Sequence, residues 1–239
     1  MDEGFPKPRY NKIGYFEINK IYVMDCLDGM KKLPDKSIDL VFIDPPYNVG
    51  KDYGVFEDNL SHDEYINFIK TVISEFRRIA KRGFGIYADW KHFQEFWQLI
   101  PEAEPIIIYK RSSGVVFSPL NIVQHHHVIL TTAKCLTRIC KSLWDDIRVF
   151  GEGYLFNERT FGHPAQTSLK ATKRFIENFS EKRDVILDCF MGTGTTAVAC
   201  KQANRDFLGF ELNPSYVGIA NKRLSQKTLD EISRLKIKR

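Results

Sequence analysis

The sequence predicts an α/β fold: a single doubly wound, mainly parallel sheet covered by helices. Short runs of β-branched residues alternate with helical patterns along most of the chain, which is typical of parallel strands joined by helices. With 239 residues, the chain suits one such domain with modest insertions. No internal repeat or second core is visible in the sequence. We expect the domain to occupy residues 18–226, between an arm over 1–17 and a basic tail over 227–239.

The first half of the chain contains four apolar runs that predict strands. They lie at 21–25, 38–44, 84–88 and 105–109. Helical patterns at 27–33 and 62–82 precede the second and third of these strands. Proline cannot continue a central strand, so the chain must turn where Pro45 and Pro46 follow the second run.

The second half of the chain has an irregular part and a regular part. Over 111–162, glycines, prolines and scattered basic residues predict an insertion that lies mostly outside the sheet, with one strand at 128–132. The regular elements after it are strands at 185–189 and 207–212 and helices at 168–179, 195–202 and 214–224.

Composition is that of a folded protein and slightly favours a polyanionic partner. Hydrophobic residues make up 43% and charged residues 27% of the chain, unlike a disordered protein. The net charge of +5 leans toward nucleic acid, although such a charge is also common for solubility alone. Five cysteines without a C-x-x-C pair, and no secretory leader, lead us to expect reduced thiols in a cytoplasmic setting. No apolar stretch approaches the roughly 18–20 residues of a membrane span.

A glycine loop follows the strand that ends near Asp188. Gly192 and Gly194 lie between this strand and a helix starting near Thr195, and glycines allow a ligand to approach the backbone closely. The helix N-terminus offers unpaired N–H groups to a negative group. The next strand ends at Glu211, whose carboxylate can accept both ribose hydroxyls of an adenosine. By spacing alone, the loop fits NAD or FAD, another nucleoside cofactor, or a structural turn.

Asp44-Pro45-Pro46-Tyr47 is the most specific motif in the chain. The lone pair of an aromatic amino group is delocalised, which makes its nitrogen a poor nucleophile. The Asp44 carboxylate and the Pro45 carbonyl can accept the two N–H bonds and favour a pyramidal nitrogen, while the prolines keep both acceptors rigid. Tyr47 offers a flat face on which an extruded base can stack. The alternative is a plain proline turn, which four specified residues at the carboxyl end of a strand disfavour.

Together the two motifs resemble those of the β group of DNA amino-methyltransferases. In that family an Asp-Pro-Pro-Tyr motif precedes the cofactor motif, which here corresponds to DCFMGTGTT at 188–196, and the resemblance covers about 18–224. It implies a class I methyltransferase fold, Rossmann-like with a circularly permuted motif order, and S-adenosylmethionine as cofactor. The cofactor-binding residues it implies are Asp25, Asp44, His163, Gln166, Thr167, Ser168, Asp188, Phe190, Gly192, Gly194, Thr195, Glu211, Leu212 and Asn213.

The same resemblance implies roles for two further segments. HPAQ at 163–166 is similar to a short motif just ahead of the cofactor helix, and the helix opening at Thr167 and Ser168 would face the methionine carboxylate. Asp25 would lie near the adenine of the cofactor. Family members often carry a lysine where this chain has Thr167, so a hydroxyl and helix N–H groups would hold the carboxylate here.

The resemblance also implies the reaction, which is methylation of the exocyclic amino group of a flipped DNA base. An aspartate such as Asp44 at the first motif position favours adenine N6, because cytosine-N4 enzymes of the group more often carry serine there. The alternatives are a cytosine-N4 DNA methyltransferase, an RNA amino-methyltransferase with the same pocket, an inactive nucleotide-binding regulator and a nicotinamide oxidoreductase. Expected partners are duplex DNA, a restriction enzyme or specificity subunit, and a second copy of the chain; no membrane partner is expected.

Nucleic-acid contacts are predicted near the 44–47 turn and in the 111–162 insertion, which would serve target recognition. Basic side chains there favour phosphate contact, which sets position and affinity. The predicted contacts are Asn48, Lys51, Tyr53, Lys110, Arg111, Arg138, Lys141, Trp144 and Arg148, with core packing as the alternative for the tryptophan. We expect no metal at His125, His126 and His127, because adjacent strand residues face opposite sides.

Overall fold

The computed structural model describes residues 9–51, 55, 58–89, 91–109, 126–137, 140–146 and 167–226. Its strands are β1 (Lys12–Ile13), β2 (Phe16–Glu17), β3 (Lys20–Val23), β4 (Leu40–Ile43), β5 (Phe84–Ala88), β6 (Glu104–Tyr109), β7 (His126–Thr131), β8 (Leu143–Trp144), β9 (Val185–Asp188) and β10 (Asp206–Glu211). Its helices are α1 (Cys26–Lys31), α2 (His62–Ile79), α3 (Phe93–Leu99), α4 (Leu169–Phe179), α5 (Thr195–Ala203) and α6 (Pro214–Ser225).

The described strands form a large sheet and a small hairpin. β1 and β2 make the antiparallel hairpin, and the sheet has the order β3-β10-β9-β4-β5-β7-β6-β8. Neighbouring strands run parallel except where β7 is involved, which pairs antiparallel with both β5 and β6. The predicted α/β fold with a mainly parallel sheet is confirmed.

The chain winds in two directions from the middle of the sheet. From β4 it continues through α2 to β5 on one side, whereas from β9 it continues through α5 to β10 on the other. A crevice therefore lies between the carboxyl ends of β4 and β9, where open α/β sheets bind their ligands. Asp44 directly follows β4 and Asp188 ends β9, so both sequence motifs meet at this crevice.

Helices cover both faces of the sheet, as the side chains of β4 demonstrate. Val41 and Ile43 belong to the core on the α2 side of the sheet, whereas Leu40 and Phe42 belong to the core on the α4 side. Successive strand residues face opposite sides of a sheet, so a strand covered on both faces is apolar throughout. Phe42 stacks on Phe175 of α4 with ring centroids 4.4 Å apart. Burial of each such side chain contributes about 1.5–3 kcal/mol.

Side-chain caps set the starts of α2, α4 and α6. Ser61 and Glu64 form a reciprocal capping box at the start of α2. Ser168 caps α4 by accepting a hydrogen bond from a backbone N–H of the first turn. Asn213 caps α6 in the same way, and Pro214 occupies the first helical position, where its missing N–H costs nothing.

Two of the predicted segments contain strands of the fold. Part of the predicted arm over 1–17 belongs to the fold, because β1 and β2 lie within it and Phe16 packs on Phe210 with ring centroids 5.0 Å apart. Within the predicted insertion over 111–162, the strand expected at 128–132 is β7, which lies between β5 and β6, and the unpredicted strand β8 pairs with β6. The apolar side chain of Ile129 in β7 is buried. Its removal from water favours a position of β7 inside the sheet, between two other strands.

Element ends differ from the predictions by a few residues, and α2 differs most. The predicted helix over 62–82 ends at Ile79, because Ala80 is extended and bridges to Ile38 next to β4. All five cysteines are free thiols. Of the helices in the described ranges, none has the length and apolar character needed to cross a membrane.

Candidate active site

A cleft opens at the carboxyl ends of the parallel strands. Residues 44–47 after β4 and the loop after β9 line it, and its empty volume of about 1030 Å³ includes the open mouth. Asp188, Glu211 at the end of β10 and Asp25 beyond β3 line the same space. Because these strands are parallel, their carboxyl ends lie at the same edge of the sheet. Four carboxyl groups, including that of Asp44, therefore meet at this edge.

The turn after β4 holds Asp44 by both carboxylate oxygens. Oδ1 accepts a hydrogen bond from the Tyr47 hydroxyl, and Oδ2 accepts one from the Thr167 hydroxyl at 2.5 Å. An ionised carboxylate has about four lone-pair sites, so it can still accept further donors from a ligand. Pro45 is buried between Asp44 and Pro46 and also lines the cleft. The turn thus presents a fixed carboxylate and a proline-restricted backbone to the cleft.

Tyr65 supports this turn from the side of α2. Its hydroxyl donates a hydrogen bond to the carbonyl of Pro46 at 2.9 Å, and the residue is only 1% exposed. The turn is therefore tied to α2 through Tyr65 as well as to β4. In the sequence, Tyr65 belongs only to the apolar stripe of a helix, and no motif signals its contact with a residue 19 positions away.

Asp188 closes the glycine loop after β9. Its Oδ1 accepts a hydrogen bond from the N–H of Phe190 at 2.9 Å, and its Oδ2 accepts one from the Thr196 hydroxyl at 2.5 Å. Both bonds lie within the segment from β9 to the first turn of α5. Asp188 therefore determines the shape of the loop in addition to lining the cleft.

The two glycines of this loop have different consequences. Gly192 has φ of 51° and Gly194 has φ of 86°, in the left-handed region that favours glycine. A Cβ on Gly194 would lie 2.7 Å from the Cβ of Ala220, so this glycine allows α6 to pack against the loop. Gly192 lines the cleft itself.

Glu211 joins the glycine loop to the end of β10. Its Oε2 accepts a hydrogen bond from the N–H of Gly192 at 2.7 Å, and its Oε1 accepts one from the N–H of Asn213 at 2.8 Å. These bonds fix the carboxylate at the cleft wall and leave lone pairs for ligand hydroxyls.

Arg223 of α6 is a support that the sequence did not indicate. Its Nη1 donates to the carbonyl of Thr193 at 2.7 Å and lies 3.3 Å from the hydroxyl of Thr195, and the residue is buried. It therefore holds the glycine loop from outside the cleft. An arginine in a surface helix usually extends into solvent, so its spacing carried no signal of this contact.

The cleft is rich in carboxyl groups removed from water. Burial raises the pKa of Asp188 to about 7, because its two hydrogen bonds offset only part of the lost hydration, and the charges of Asp44 and Glu211 raise it further. Burial also raises the pKa of Asp44 and of Glu211. A ligand with positive charge would relieve this crowding of negative charge.

Comparison with known proteins identifies the family. A family model described as DNA methylase matches residues 38–134 and 97–222, which together span most of the chain. The chain belongs to this DNA methylase family. The Type II methyltransferase M.HpaI of Haemophilus parainfluenzae is 27% identical over 240 residues, covering 87% of this chain and 74% of the relative. The DNA adenine methyltransferase YhdJ of Escherichia coli (strain K12) is 27% identical over 255 residues, covering 89% and 85%.

Solved methyltransferase structures share the fold. The M1.HpyAVI–SAM complex superposes with a TM-score of 0.66 at 21% identity, covering 87% of this chain and 99% of that one. PvuII DNA methyltransferase, described as cytosine-N4-specific, gives a TM-score of 0.67 at 21% identity, covering 91% and 90%. The predictions of a Rossmann-like methyltransferase fold and of an amino-methyltransferase that acts on DNA are confirmed.

Most predicted cofactor residues of the methyltransferase that the structure describes line the cleft. They are Asp25, Asp44, Thr167, Asp188, Phe190, Gly192, Thr195, Glu211 and Leu212. Ser168 caps α4 and Asn213 caps α6. Gly194 allows α6 to pack closely against the glycine loop. His163 and Gln166 lie outside the described residues. Phe68 also lines the cleft, although the sequence motifs did not include it.

One predicted nucleic-acid contact of the methyltransferase needs correction. Trp144 is 2% exposed and donates its indole N–H to the carbonyl of Lys141 at 2.8 Å, so it packs in the core and the prediction is wrong. The side-chain amide of Asn48 donates to and accepts from the backbone of Leu60 at 2.8 and 2.7 Å, and its contact with nucleic acid stays a prediction. Lys141 is exposed. Burial raises the pKa of Asp44, and the positive charge of Lys51 opposes that rise. The other predicted contacts, Tyr53, Lys110, Arg111, Arg138 and Arg148, lie outside the described residues.

Proposed function

We propose that this methyltransferase transfers a methyl group to N6 of adenine in duplex DNA, with the target base flipped into the cleft beside Asp44. The observation that carries the proposal is the shared cleft: the Asp44–Tyr47 turn and the carboxylates of Asp188 and Glu211 line one continuous space. A base held at the turn would therefore lie next to a cofactor held by the glycine loop.

The turn suits a primary aromatic amino group. Adenine N6 carries two N–H bonds, and we assign one to the Asp44 carboxylate and the other to the Pro45 carbonyl. Hydrogen bonds from Tyr47 and Thr167 already orient the carboxylate, so little further ordering is needed when the base enters. The ring of Tyr47 provides the stacking face, an interaction worth about 1–3 kcal/mol.

The carboxylates of the cleft suit the charge of the cofactor. Bound S-adenosylmethionine supplies an electrophilic methyl group on a positively charged sulfur. Asp44, Asp188 and Glu211 place negative charge around the cleft, and its shielding from water strengthens their attraction for a cation. After transfer the sulfur would be neutral, and the proton displaced from the amino nitrogen would pass to Asp44 or to water. The carboxylates would then lose their attraction for the cofactor, which would favour product release.

We assign the remaining cofactor contacts by position along the cleft. Glu211 would accept the ribose hydroxyls, because its two backbone hydrogen bonds leave free lone pairs at the cleft wall. Asp25 would lie near the adenine ring, with one carboxylate oxygen engaged in capping α1. The main role of Thr167 would be to orient Asp44, since its hydroxyl donates a hydrogen bond to the Asp44 carboxylate.

The choice of adenine over cytosine rests on Asp44 at the first position of the turn. The fold alone does not decide it, because the similar PvuII enzyme is described as cytosine-N4-specific. The relative YhdJ is named a DNA adenine methyltransferase, and its alignment covers 89% of this chain. This similarity supports the adenine assignment.

Analysis of methylated nucleosides tests this function. The full-length chain would be incubated with isotopically labelled S-adenosylmethionine and with duplex DNA, single-stranded DNA or RNA of mixed sequence, and the products digested to nucleosides for mass spectrometry. We expect labelled N6-methyldeoxyadenosine from duplex DNA and no label in a control duplex of G·C pairs alone. Labelled N4-methyldeoxycytidine, or label in RNA only, would overturn the proposal.

We further propose a role in restriction–modification, supported by relatives named as Type II methyltransferases. DNA from cells expressing the chain should then carry the modified base at one short sequence and resist an endonuclease that cuts there. Modification without sequence preference would contradict this role.

We also propose that the chain forms a homodimer. Light scattering of the purified protein would test this, because a dimer has twice the mass of one chain.

A further inference from the structure

Three metal-ligating side chains converge outside the cleft, where α2 and α3 begin. One ligand atom each from His62, His92 and Glu95 lies within 4.8 Å of the others. Nε2 of His62 is 3.9 Å from Oε1 of Glu95, and the imidazole rings of His62 and His92 have centroids 5.9 Å apart. We propose that these residues bind a divalent transition-metal ion, with Zn²⁺ as the ion that best fits two imidazoles and a carboxylate.

The fold brings these ligands together from separate parts of the chain. His62 is the first residue of α2, His92 directly precedes α3, and Glu95 lies in the first turn of α3. The spacing of three residues between His92 and Glu95 places both on one side of the helix start. The site therefore joins two helices, as a structural metal site does.

Burial of His92 provides a second, independent observation. The residue is 9% exposed, and its Nδ1 is buried without a hydrogen-bond partner in the described part of the chain. Buried ring nitrogens are normally hydrogen-bonded. Coordination of a metal ion by the His92 imidazole would explain why this polar ring is buried there. The side chains of His62 and Glu95 are 57% and 31% exposed, so an ion and a water ligand can reach the site from solvent.

The distances between the ligand atoms suit a small adjustment around an ion. Zn–N and Zn–O distances of about 2.0–2.2 Å place neighbouring ligand atoms of a tetrahedral site roughly 3.3–3.5 Å apart. The gap of 3.9 Å between His62 and Glu95 is too long for a hydrogen bond and lies close to that value. Both side chains are partly exposed, so rotation about their side-chain bonds can close the remaining difference.

The position of the cluster suggests a structural task for the ion. The ring of Tyr65, one turn after His62 on α2, packs on His92 with centroids 4.8 Å apart. The hydroxyl of Tyr65 binds the Pro46 carbonyl of the catalytic turn. None of the three proposed ligands is among the described residues that line the cleft. The ion would thus fix the helix starts that support the turn, without entering the reaction.

Titration with Zn²⁺ alone tests the site. The full-length chain would be stripped with a chelator and titrated by calorimetry, and Co²⁺ would report coordination through its visible absorption. We expect one ion per chain and a higher thermal unfolding temperature with Zn²⁺. His62→Ala and Glu95→Gln change partly exposed side chains, so both should fold, and each should weaken Zn²⁺ binding at least about tenfold.

Two matched controls separate this site from other metal ligands. His126→Ala removes an exposed histidine of β7, and Cys140→Ser removes a half-buried thiol; both should keep the affinity of the unmodified chain. Unchanged affinity in His62→Ala, or loss of binding in either control, would overturn the proposal. A stoichiometry below one ion per chain with only weak, variant-independent binding would overturn it as well.

Discussion

The hydroxyl of Thr167 donates a hydrogen bond to Oδ2 of Asp44 at 2.5 Å, although 123 positions separate the two residues. Thr167 lies just before α4 and Asp44 just after β4, so this bond ties the catalytic turn to a helix on one face of the sheet. Burial raises the pKa of Asp44, and the bonds from Thr167 and Tyr47 oppose that rise. The charge of Asp44 thus depends on a residue that the sequence assigned to the cofactor.

Removal of the Thr167 hydroxyl should move the pH dependence of methyl transfer. Thr167→Val preserves volume but removes a donor that favours the charged carboxylate, so the pKa of Asp44 rises. The ionised carboxylate of Asp44 is the stronger acceptor for the amino N–H, so activity should be lost at a higher pH as the solution is acidified. Single-turnover rates over a pH series would measure this. Thr167→Ser should retain the original profile, and an unchanged acidic limb in Thr167→Val would contradict the role.

Loss of the Tyr65 hydroxyl should slow the reaction and leave cofactor binding intact. Tyr65→Phe leaves the Pro46 carbonyl without its donor, which loosens the turn. We expect kcat to fall about fivefold, equivalent to about 1 kcal/mol, with little change in KM for the cofactor. The matched control is Tyr22→Phe, whose hydroxyl accepts a hydrogen bond from the N–H of Glu17. Equal effects of the two changes on kcat would argue against positioning by Tyr65.

Neutralisation of Glu211 should weaken cofactor binding. Glu211→Gln replaces a carboxylate that accepts two backbone N–H bonds and is proposed to accept ribose hydroxyls. Hydrogen bonds to charged groups contribute about 1.5–3 kcal/mol, so the Kd for S-adenosylmethionine should rise roughly 10- to 100-fold in calorimetry. Glu104→Gln, at the exposed start of β6, serves as the control. A Kd equal to that of the control would remove Glu211 from the cofactor site.

Asp188 should make the unliganded protein less stable as pH rises. Its pKa is about 7 in the folded state and near 3.8 when unfolded, so the folded state binds one more proton between these values. Its contribution to the free energy of unfolding therefore falls with increasing pH, by at most about 1.4 kcal/mol per pH unit. Urea unfolding of the chain and of Asp188→Asn, compared across this window, isolates the effect. A difference between them that stays constant with pH would show that Asp188 does not titrate there.

The meeting of the two motifs could be predicted from the sequence because it follows from strand direction. Asp44, Asp188 and Glu211 each stand at the carboxyl end of an apolar run, and parallel strands place those ends at one side of the sheet. The residue types then indicated a cofactor pocket and an amino-group site. The order and direction of the strands are sufficient to bring the motifs together, whatever contacts the side chains make.

Contacts between distant side chains could not be predicted in this way. The support of Pro46 by Tyr65 and of Thr193 by Arg223 depends on how helices pack on the sheet, which the periodicity of a helix does not specify. Trp144 lies in a two-residue strand that pairs with β6, too short to produce a periodic pattern, so the sequence left both core packing and nucleic-acid contact open for it.

Methyl transfer by Asp44→Ala, measured together with cofactor binding, tests the central claim most directly. The change removes the proposed acceptor and leaves the glycine loop and Glu211 in place. We expect the variant to retain S-adenosylmethionine binding, weakened only by the loss of one of the cleft carboxylates, and to transfer no measurable methyl group to duplex DNA in a single turnover. Methyl transfer at the unmodified rate would contradict the assignment of Asp44 as the residue that prepares the target amino group.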